Sequence, residues 1–451
     1  MIDGLQPYQE YKESGSRWLG SVPAHWEVRN LRTLITARNI RNRPDLPLLS
    51  VAREKGVFVR SLKGGDDNYN FIPDDLSTYK VARAGSLVIN KMKAWQGSMG
   101  IAPCDGVVSP AYFVFDFRFE NLAFGEKLLR SKPYVAHFAQ ASDGVRVGQW
   151  DLSIPGMRQI PVVVPSVDEQ AAIVRFLNHA NRRIERAIRA KKKLIVLLNE
   201  QKQAIIHSAV TRGLDPAVPL KPSGVPWLGD IPMYWDVWPL RRCISIRSGD
   251  FVEGSRLDIE RSDSSPFPVI GGNGIIGFSD CSNTSGTTIV IGRVGALCGN
   301  VHLVQEPAWI TDNALRLTRI VGFDAAYLAE QLRVMKLNRL ANANAQPLVT
   351  GGTIKSQWVV KPSLHEQKEI IEQLYGSSMR IDTTIHRTER EVALIREYRT
   401  RLVADVVTGK LDVRGAARYV PAEAEELSAP TEAEYFTDEA EPEPVTSDEG
   451  T

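Results

Sequence analysis

The stretch 165–215 reads PSVDEQAAIVRFLNHANRRIERAIRAKKKLIVLLNEQKQAIIHSAVTRGLD, and its pattern decides the fold. Apolar or small residues recur at Ile173, Leu177, Ala180, Ile184, Ala187, Leu194, Leu198 and Ile205. Steps of three and four predict one helix with a single apolar seam. No Gly or Pro interrupts the run between Val167 and Arg212. Ser166, followed by Asp168, Glu169 and Gln170, supplies a hydroxyl cap and negative charge where the helix dipole is positive. Gly213 supplies the stop. A helix of about 45 residues, rising about 1.5 Å per residue, is roughly 65–70 Å long. That is too long to bury within one lobe.

The same stretch occurs twice. Positions 362–412 read PSLHEQKEIIEQLYGSSMRIDTTIHRTEREVALIREYRTRLVADVVTGKLD. At an offset of 197 residues and without a gap, 15 of 51 positions are identical. Pro165, Ser166, Glu169 and Gln170 meet Pro362, Ser363, Glu366 and Gln367; Ile173, Leu177, Ile184 and Ile188 meet Ile370, Leu374, Ile381 and Ile385. Two helices with matching seams are what an antiparallel coiled coil needs.

A second repeat alternates with the first. Positions 11–32, YKESGSRWLGSVPAHWEVRNLR, match 220–241, LKPSGVPWLGDIPMYWDVWPLR, at 11 of 22 positions and an offset of 209. Pro, Gly and Trp at this density predict an extended clasp pinned by buried indoles rather than a catalytic site. Between the repeats lie two globular stretches that read as short strands and turns: SLVINKM at 86–92, AYFVFDF at 111–117, TTIVIGRV at 287–294 and ALRLTRI at 314–320. Each also has one helix-like stretch, from Phe124 and from Asp324. At an offset of 202, Val88-Ile89-Asn90-Lys91 meets Val290-Ile291-Gly292-Arg293, and Gly97 meets Gly299.

The chain of 451 residues is long enough for two or three domains, and 43% hydrophobic residues suffice for real cores. Cys104, Cys243, Cys281 and Cys298 form no CxxC pair, so the pattern argues against structural zinc and for reduced thiols in a cytoplasmic protein. The start, MIDGLQPYQEYKESG, lacks the apolar core of a signal peptide, and no apolar run is long enough for a membrane span. The net charge of +2 hides an asymmetry: positions 421–451 carry 11 acidic side chains and no basic one, leaving +13 on the remainder. A basic body suits a polyanion, and an acidic, Pro-containing segment is expected to stay disordered and to be dispensable for recognition.

The order clasp, globule, long helix, clasp, globule, long helix resembles the specificity subunit of type I restriction–modification enzymes. The resemblance runs from about Tyr11 to Asp412 and rests on Trp-Leu-Gly-x-x-Pro-x-x-Trp and Pro-Ser-x-x-Glu-Gln, each present twice. It implies an α+β chain: a recognition domain at 1–164, a spacer helix at 165–215, a second recognition domain at 216–361, a second spacer helix at 362–415 and an acidic tail at 416–451, with pseudo-twofold symmetry. Each domain would read one half of a gapped duplex target, and the paired helices would dock methyltransferase subunits, two of them. Helices of fixed length imply a constant gap, with half-site centres about 34 Å apart. Restriction or translocase subunits would join through the complex. The chain itself would hold no cofactor; S-adenosylmethionine, ATP and Mg would sit on the partners. The acidic tail has no counterpart in the family pattern.

The sequence carries neither the Asn/Asp-Pro-Pro-Tyr/Phe signature of amino-methyltransferases nor a Walker lysine loop. Gly272-Asn273-Gly274-Ile275-Ile276-Gly277 matches GxGxxG, but a Ser/Thr/Gly-rich stretch and a strand follow instead of a helix, which favours a glycine-rich hairpin. Base reading needs Arg or Lys for guanine and Asn or Gln for adenine. The candidates in the first globule are Lys91, Lys93 and Gln96 around Trp95, with Arg146 and Gln149 in DGVRVGQW. Those in the second are Asn273, Arg293, Asn300, and Gln346 with Thr350 in NAQPLVTGG. The aligned pair Lys91 and Arg293 is preferred, because each follows an apolar strand end and precedes a glycine. Lys191-Lys192-Lys193 reads as a solvated helix face. The competing reading is a non-catalytic, two-lobed protein scaffold that reads no DNA.

Overall fold

The structure is a computed structural model that describes residues 5–60, 75–144, 150–341 and 347–421. Two long helices stand out, Val167–Arg212 with 46 residues and Leu364–Val407 with 44. Gly213 follows the first with φ +78, the left-handed stop that only glycine adopts cheaply. No helix among the described residues is long and apolar enough to cross a membrane. By contacts the chain divides into two units, Met1–Arg186 with Arg396–Thr451, and Ala187–Ile395.

The first unit is built on a four-stranded antiparallel sheet of β1 (Ile35–Arg38), β2 (Leu87–Asn90), β3 (Met99–Ile101) and β4 (Tyr112–Phe117), in the order β1-β4-β2-β3. Strand β2 is buried at all four positions, which is why Leu87-Val88-Ile89 is continuous rather than alternating in hydrophobicity. The stretch from Phe124 is two helices, Leu122–Leu129 and Lys132–Gln140, not one. Pro133 has no N–H to give a continuing helix, so it sits in the first turn of a new one. Trp26, Phe115, Phe124, Tyr134 and Phe138 form the core with Ile173 and Leu177 of the first long helix and Leu402, Val406 and Val407 of the second.

The second unit repeats the plan with β5 (Ile244–Ser248), β6 (Thr288–Gly292), β7 (Val301–Val304) and β8 (Ala314–Ile320), in the order β5-β8-β6-β7. The helix from Asp324 is Ala325–Val334, and Lys336 at φ 54 separates it from the 3-10 turn Leu337–Leu340. Trp235, Tyr327 and Leu332 pack with Ile206 and Val210 of the first long helix and Ile370 and Leu374 of the second.

Within each unit the long helices run antiparallel. In the second, Lys191 Nζ lies 2.6 Å from Glu391 and Lys202 Nζ 2.7 Å from Asp382, so partner numbers fall as residue numbers rise. In the first, Arg399 faces Glu185 at 3.7 Å. The seam departs from the expected one at two positions. Ala187 is exposed and Leu194 is 43% exposed, whereas Ile188 is buried. After Ile184 the seam takes a step of four, so Ile188, Lys191 and Ile195 carry it. Lys191 is thus a seam residue rather than part of a solvated face, and its ion pair selects register.

The clasps explain why the two repeats alternate. In the first unit Glu169, 4% exposed, accepts hydrogen bonds from Tyr8 Oη at 2.7 Å and His25 Nε2 at 2.9 Å. Burial, followed by the bond to Glu169, pushes the Tyr8 phenol far above its ordinary pKa. In the second, Glu366 accepts from Tyr234 Oη at 2.8 Å and Trp235 Nε1 at 3.1 Å. The neighbouring glutamines act as staples. Gln170 Nε2 donates to Pro165 O at 2.8 Å while its Oε1 accepts from Asn121 N at 3.2 Å. Gln367 does the same with Pro362 O at 2.9 Å and Asp324 N at 2.7 Å. Asn121 and Asp324 are themselves the N-caps of Leu122–Leu129 and Ala325–Val334.

Each clasp tryptophan also covers the glycine that ends the other long helix. Trp26 lies on Gly409 and Trp235 on Gly213. A Cβ at Gly409, whose φ is +82, would stand 2.4 Å from Pro23 Cδ. Gly409→Ala should therefore destabilise the protein by at least about 1–3 kcal/mol from backbone strain alone. Gly376, inside the second long helix with open space around it, should gain about 0.5–1 kcal/mol on substitution by Ala. Denaturant unfolding of the two variants checks both signs.

Candidate nucleic-acid interface

Strands β2 and β6 end at equivalent corners, and each is followed by a cation. Lys91 comes directly after β2 and Arg293 directly after β6. Lys91 O accepts from Leu152 N at 3.0 Å, and Arg293 O from Val349 N at 2.9 Å. The next residues in each case, Ser153 and Thr350, cap the short helices Ile154–Arg158 and Gly351–Lys355. Gly97 and Gly299, at φ +88 and +85, turn the chain back in both units. The two globules thus share this corner although their sequences have diverged.

The side chains at the corner differ. Lys91 Nζ is held 2.7 Å from Asp151 Oδ2. Arg293 Nη1 reaches Ser248 Oγ at the end of β5, at 3.4 Å. Lys93 is exposed. Trp95 turns its Nε1 to Met92 O at 3.1 Å and packs on Trp150 with ring centroids 5.2 Å apart. Gln96 lines a cavity described below. Asn273 and Asn300, far apart in sequence, meet through Nδ2–H of Asn300 and Oδ1 of Asn273 at 3.3 Å. The GxGxxG run is a hairpin: Phe267–Gly271 pairs with Gly274–Ser279, and Gly272-Asn273 is the turn. Thr350 is engaged as a cap, its Oγ1 accepting from Thr353 N at 3.1 Å. Arg146, Gln149, Gln346 and the acidic segment 422–451 lie outside the described residues.

The structure adds cations that spacing could not identify. Lys80 donates to Tyr112 O at 2.6 Å, at the start of β4 and next to the Lys91 corner. Burial lowers its ammonium pKa, and the fields of Arg41 and Lys91 lower it further. Arg41, Lys80 and Lys91 therefore share one positive field, assembled from positions that no helix or strand period relates. In the second unit Arg316, on β8, is held by Asp250 at 3.0 Å and by the carbonyl of Asn283, while Asn283 Nδ2 donates to Asp250 at 2.8 Å. The Asp250 carboxylate in turn restrains Arg316 at the end of the sheet where Arg293 lies. The donors at the two corners are amines, guanidinium groups and amides, the set that bonds purine edges.

No family model matches the chain. A stretch of 128 residues is 29% identical to the type I restriction enzyme EcoprrI specificity subunit of Escherichia coli. It amounts to 28% of this chain and 32% of the relative, so the match spans about a third of the curated relative's length. Among solved structures, a chain from work on complex assembly and conformational transition of the type I R-M system superposes with a TM-score of 0.65 at 13% identity, over 86% of this chain and 98% of that one. The HsdS subunit of Thermoanaerobacter tengcongensis aligns over 86% of this chain and 98% of its own, at 14% identity and a TM-score of 0.48. The first of these solved structures shows the fold: mixed α and β, with a long helix after each globule. The 128-residue match adds a likeness in sequence to a type I specificity subunit.

Because Thr350 caps Gly351–Lys355, Thr350→Ala should cost about 0.5–2 kcal/mol of stability and Thr350→Ser much less. Urea titration of both variants tests the cap separately from any contact to a ligand.

Proposed function

We propose that this chain is the non-catalytic DNA-recognition subunit of a type I restriction–modification complex. Each globule reads one half of a bipartite, gapped duplex target. The long helices dock the methyltransferase subunits, two per specificity subunit, and the restriction subunits join through that complex. S-adenosylmethionine, ATP and Mg belong to those partners, and this chain supplies sequence choice.

The observation that carries the reading is the shared corner. Lys91 and Arg293 follow the same strand of the same four-stranded arrangement, hold the same backbone partner position, and are surrounded by unlike side chains. A repeated frame bearing unlike donors suits a target with two unlike halves. Guanidinium can bond guanine N7 and O6 in a fork, whereas an ammonium offers a point charge, so the two corners select differently. A protein scaffold would not require hydrogen-bond donors of this kind at equivalent places. Phosphate contacts from the surrounding cations set position without reading bases.

Two outcomes test this reading. Arg293→Ala should relax only the half-site read by the second globule, by about 1–3 kcal/mol per lost base contact, and Lys91→Ala only the other half. Genome-wide methylation sequencing in cells carrying the partner methyltransferase reads both. A continuous motif, or one substitution that alters both halves, overturns the modular reading. Footprinting of the reconstituted complex that shows no specific protection would instead favour the scaffold.

A further inference from the structure

The first unit holds a cavity of about 640 Å³ that the DNA-reading corner does not use. The charges on its lining are mostly positive: Arg53, Lys127, Arg130, Lys132 and Arg399, against Glu54 and Glu126. The two acids are already engaged. Glu126 lies 3.1 Å from Arg130 and Glu54 3.6 Å from Arg53. Arg130 is fixed further by the carbonyls of Arg53 and Glu54, both at 2.8 Å. Lys127 and Lys132 have no carboxylate within ion-pair distance among the described residues. Burial pulls the Lys127 ammonium below its ordinary pKa, against the field of the neighbouring Glu126.

Asn178 and Asn181 of the first long helix also line the cavity. The spare ammonium groups of Lys127 and Lys132 fit an acidic peptide.

One such peptide begins close by. Arg175 Nε donates to Ala417 O at 3.1 Å, which fixes the end of the short helix Arg414–Ala417 that follows the second long helix. Asn178 and Asn181 follow Arg175 by about 4.5 and 9 Å along the helix axis. Arg418 and Tyr419 still turn back onto Gly415 and Ala416; from Pro421, the last described residue, Glu423, Glu425 and Glu426 lie two, four and five positions on, up to about 7, 14 and 17 Å of extended chain. Positions 421–451 hold 11 acidic and no basic side chains.

We propose that this cavity docks the acidic segment 422–451 of the same chain, with Glu423, Glu425 and Glu426 set against Lys127 and Lys132. Tethering supplies an effective concentration in the mM range, so individually weak ion pairs are enough to hold the segment. The segment is then an internal polyanion seated on a basic surface of the first unit. It leaves when salt rises or when a stronger anion competes.

The test is the acylation rate of lysines in the full chain, read by mass spectrometry at low salt. Lys127 and Lys132 should react about threefold more slowly in the unsubstituted chain than in the Glu423→Gln, Glu425→Gln, Glu426→Gln variant, and the difference should vanish in about 1 M salt. Lys355, in the second unit, should react alike in both. Carbodiimide, which joins amines and carboxylates in contact, should link Lys127 or Lys132 to one of those three glutamates. Equal rates in the two chains at low salt overturn the proposal. So do crosslinks from the segment to other lysines only. Protection that appears only on adding duplex DNA or a methyltransferase subunit, alike in both chains, assigns the cavity to that partner and also overturns it.

Discussion

A single carboxylate organises each unit, buried in the first and half-buried in the second. Glu169 and Glu366 sit one turn into the long helices, where the dipole favours negative charge, and each collects hydrogen-bond donors from its clasp. The adjacent glutamine joins the proline carbonyl ahead of the helix to the cap of the globule's own helix. The dipeptide therefore couples three elements: clasp, long helix and globule. The clasp tryptophan then closes over the glycine that ends the antiparallel partner helix. Local chemistry at one helix start thereby positions the end of another helix about two hundred residues away.

That coupling frees the globules to change. Their sheets keep one strand order, and their corners keep the backbone bonds that present residues 91 and 293. What differs is the company around each cation: Asp151 beside Lys91, and Ser248 beside Arg293. An ion pair at 2.7 Å holds an ammonium in one direction, while a hydroxyl at 3.4 Å leaves a guanidinium freer to turn toward a ligand. The difference lives in side chains alone, on backbones of the same plan.

The frame was legible in the sequence because it is periodic and repeated. The 46- and 44-residue helices, the glycine stop and the hairpin at Gly272-Asn273 all follow from spacing. The seam failed at Ala187 and Leu194 because a step of four after Ile184 shifts the phase, and because a lysine then occupies a seam position that a hydrophobic count cannot see. The stretch from Phe124 has the apolar spacing of a single helix, but Pro133 permits only a fresh start. Arg41 and Lys80, which join Lys91 in one basic field, left no signal, since the fold rather than spacing brings them to it. Thr350 is a sharper case. A polar residue in a glycine-rich loop suggests a contact to ligand, yet the backbone N–H of Thr353 claims it.

The two clasps show which part of the frame is constrained. The acceptor is a glutamate in both, but the donors are Tyr8 and His25 in one unit and Tyr234 and Trp235 in the other. At the equivalent place in the first clasp, Trp26 Nε1 is buried and finds no acceptor among the described residues. A buried donor without a partner costs about 1–3 kcal/mol, so the ring is kept there for its shape and not for its N–H. Its flat face is what covers Gly409, where a Cβ would collide with Pro23. Packing fixes the indole and the glycine together, and the hydrogen-bonding pattern around the carboxylate is the part that varies between copies. The glutamine staples and the backbone bonds at the two corners are repeated in both units, and the donors to the clasp carboxylate are where they part.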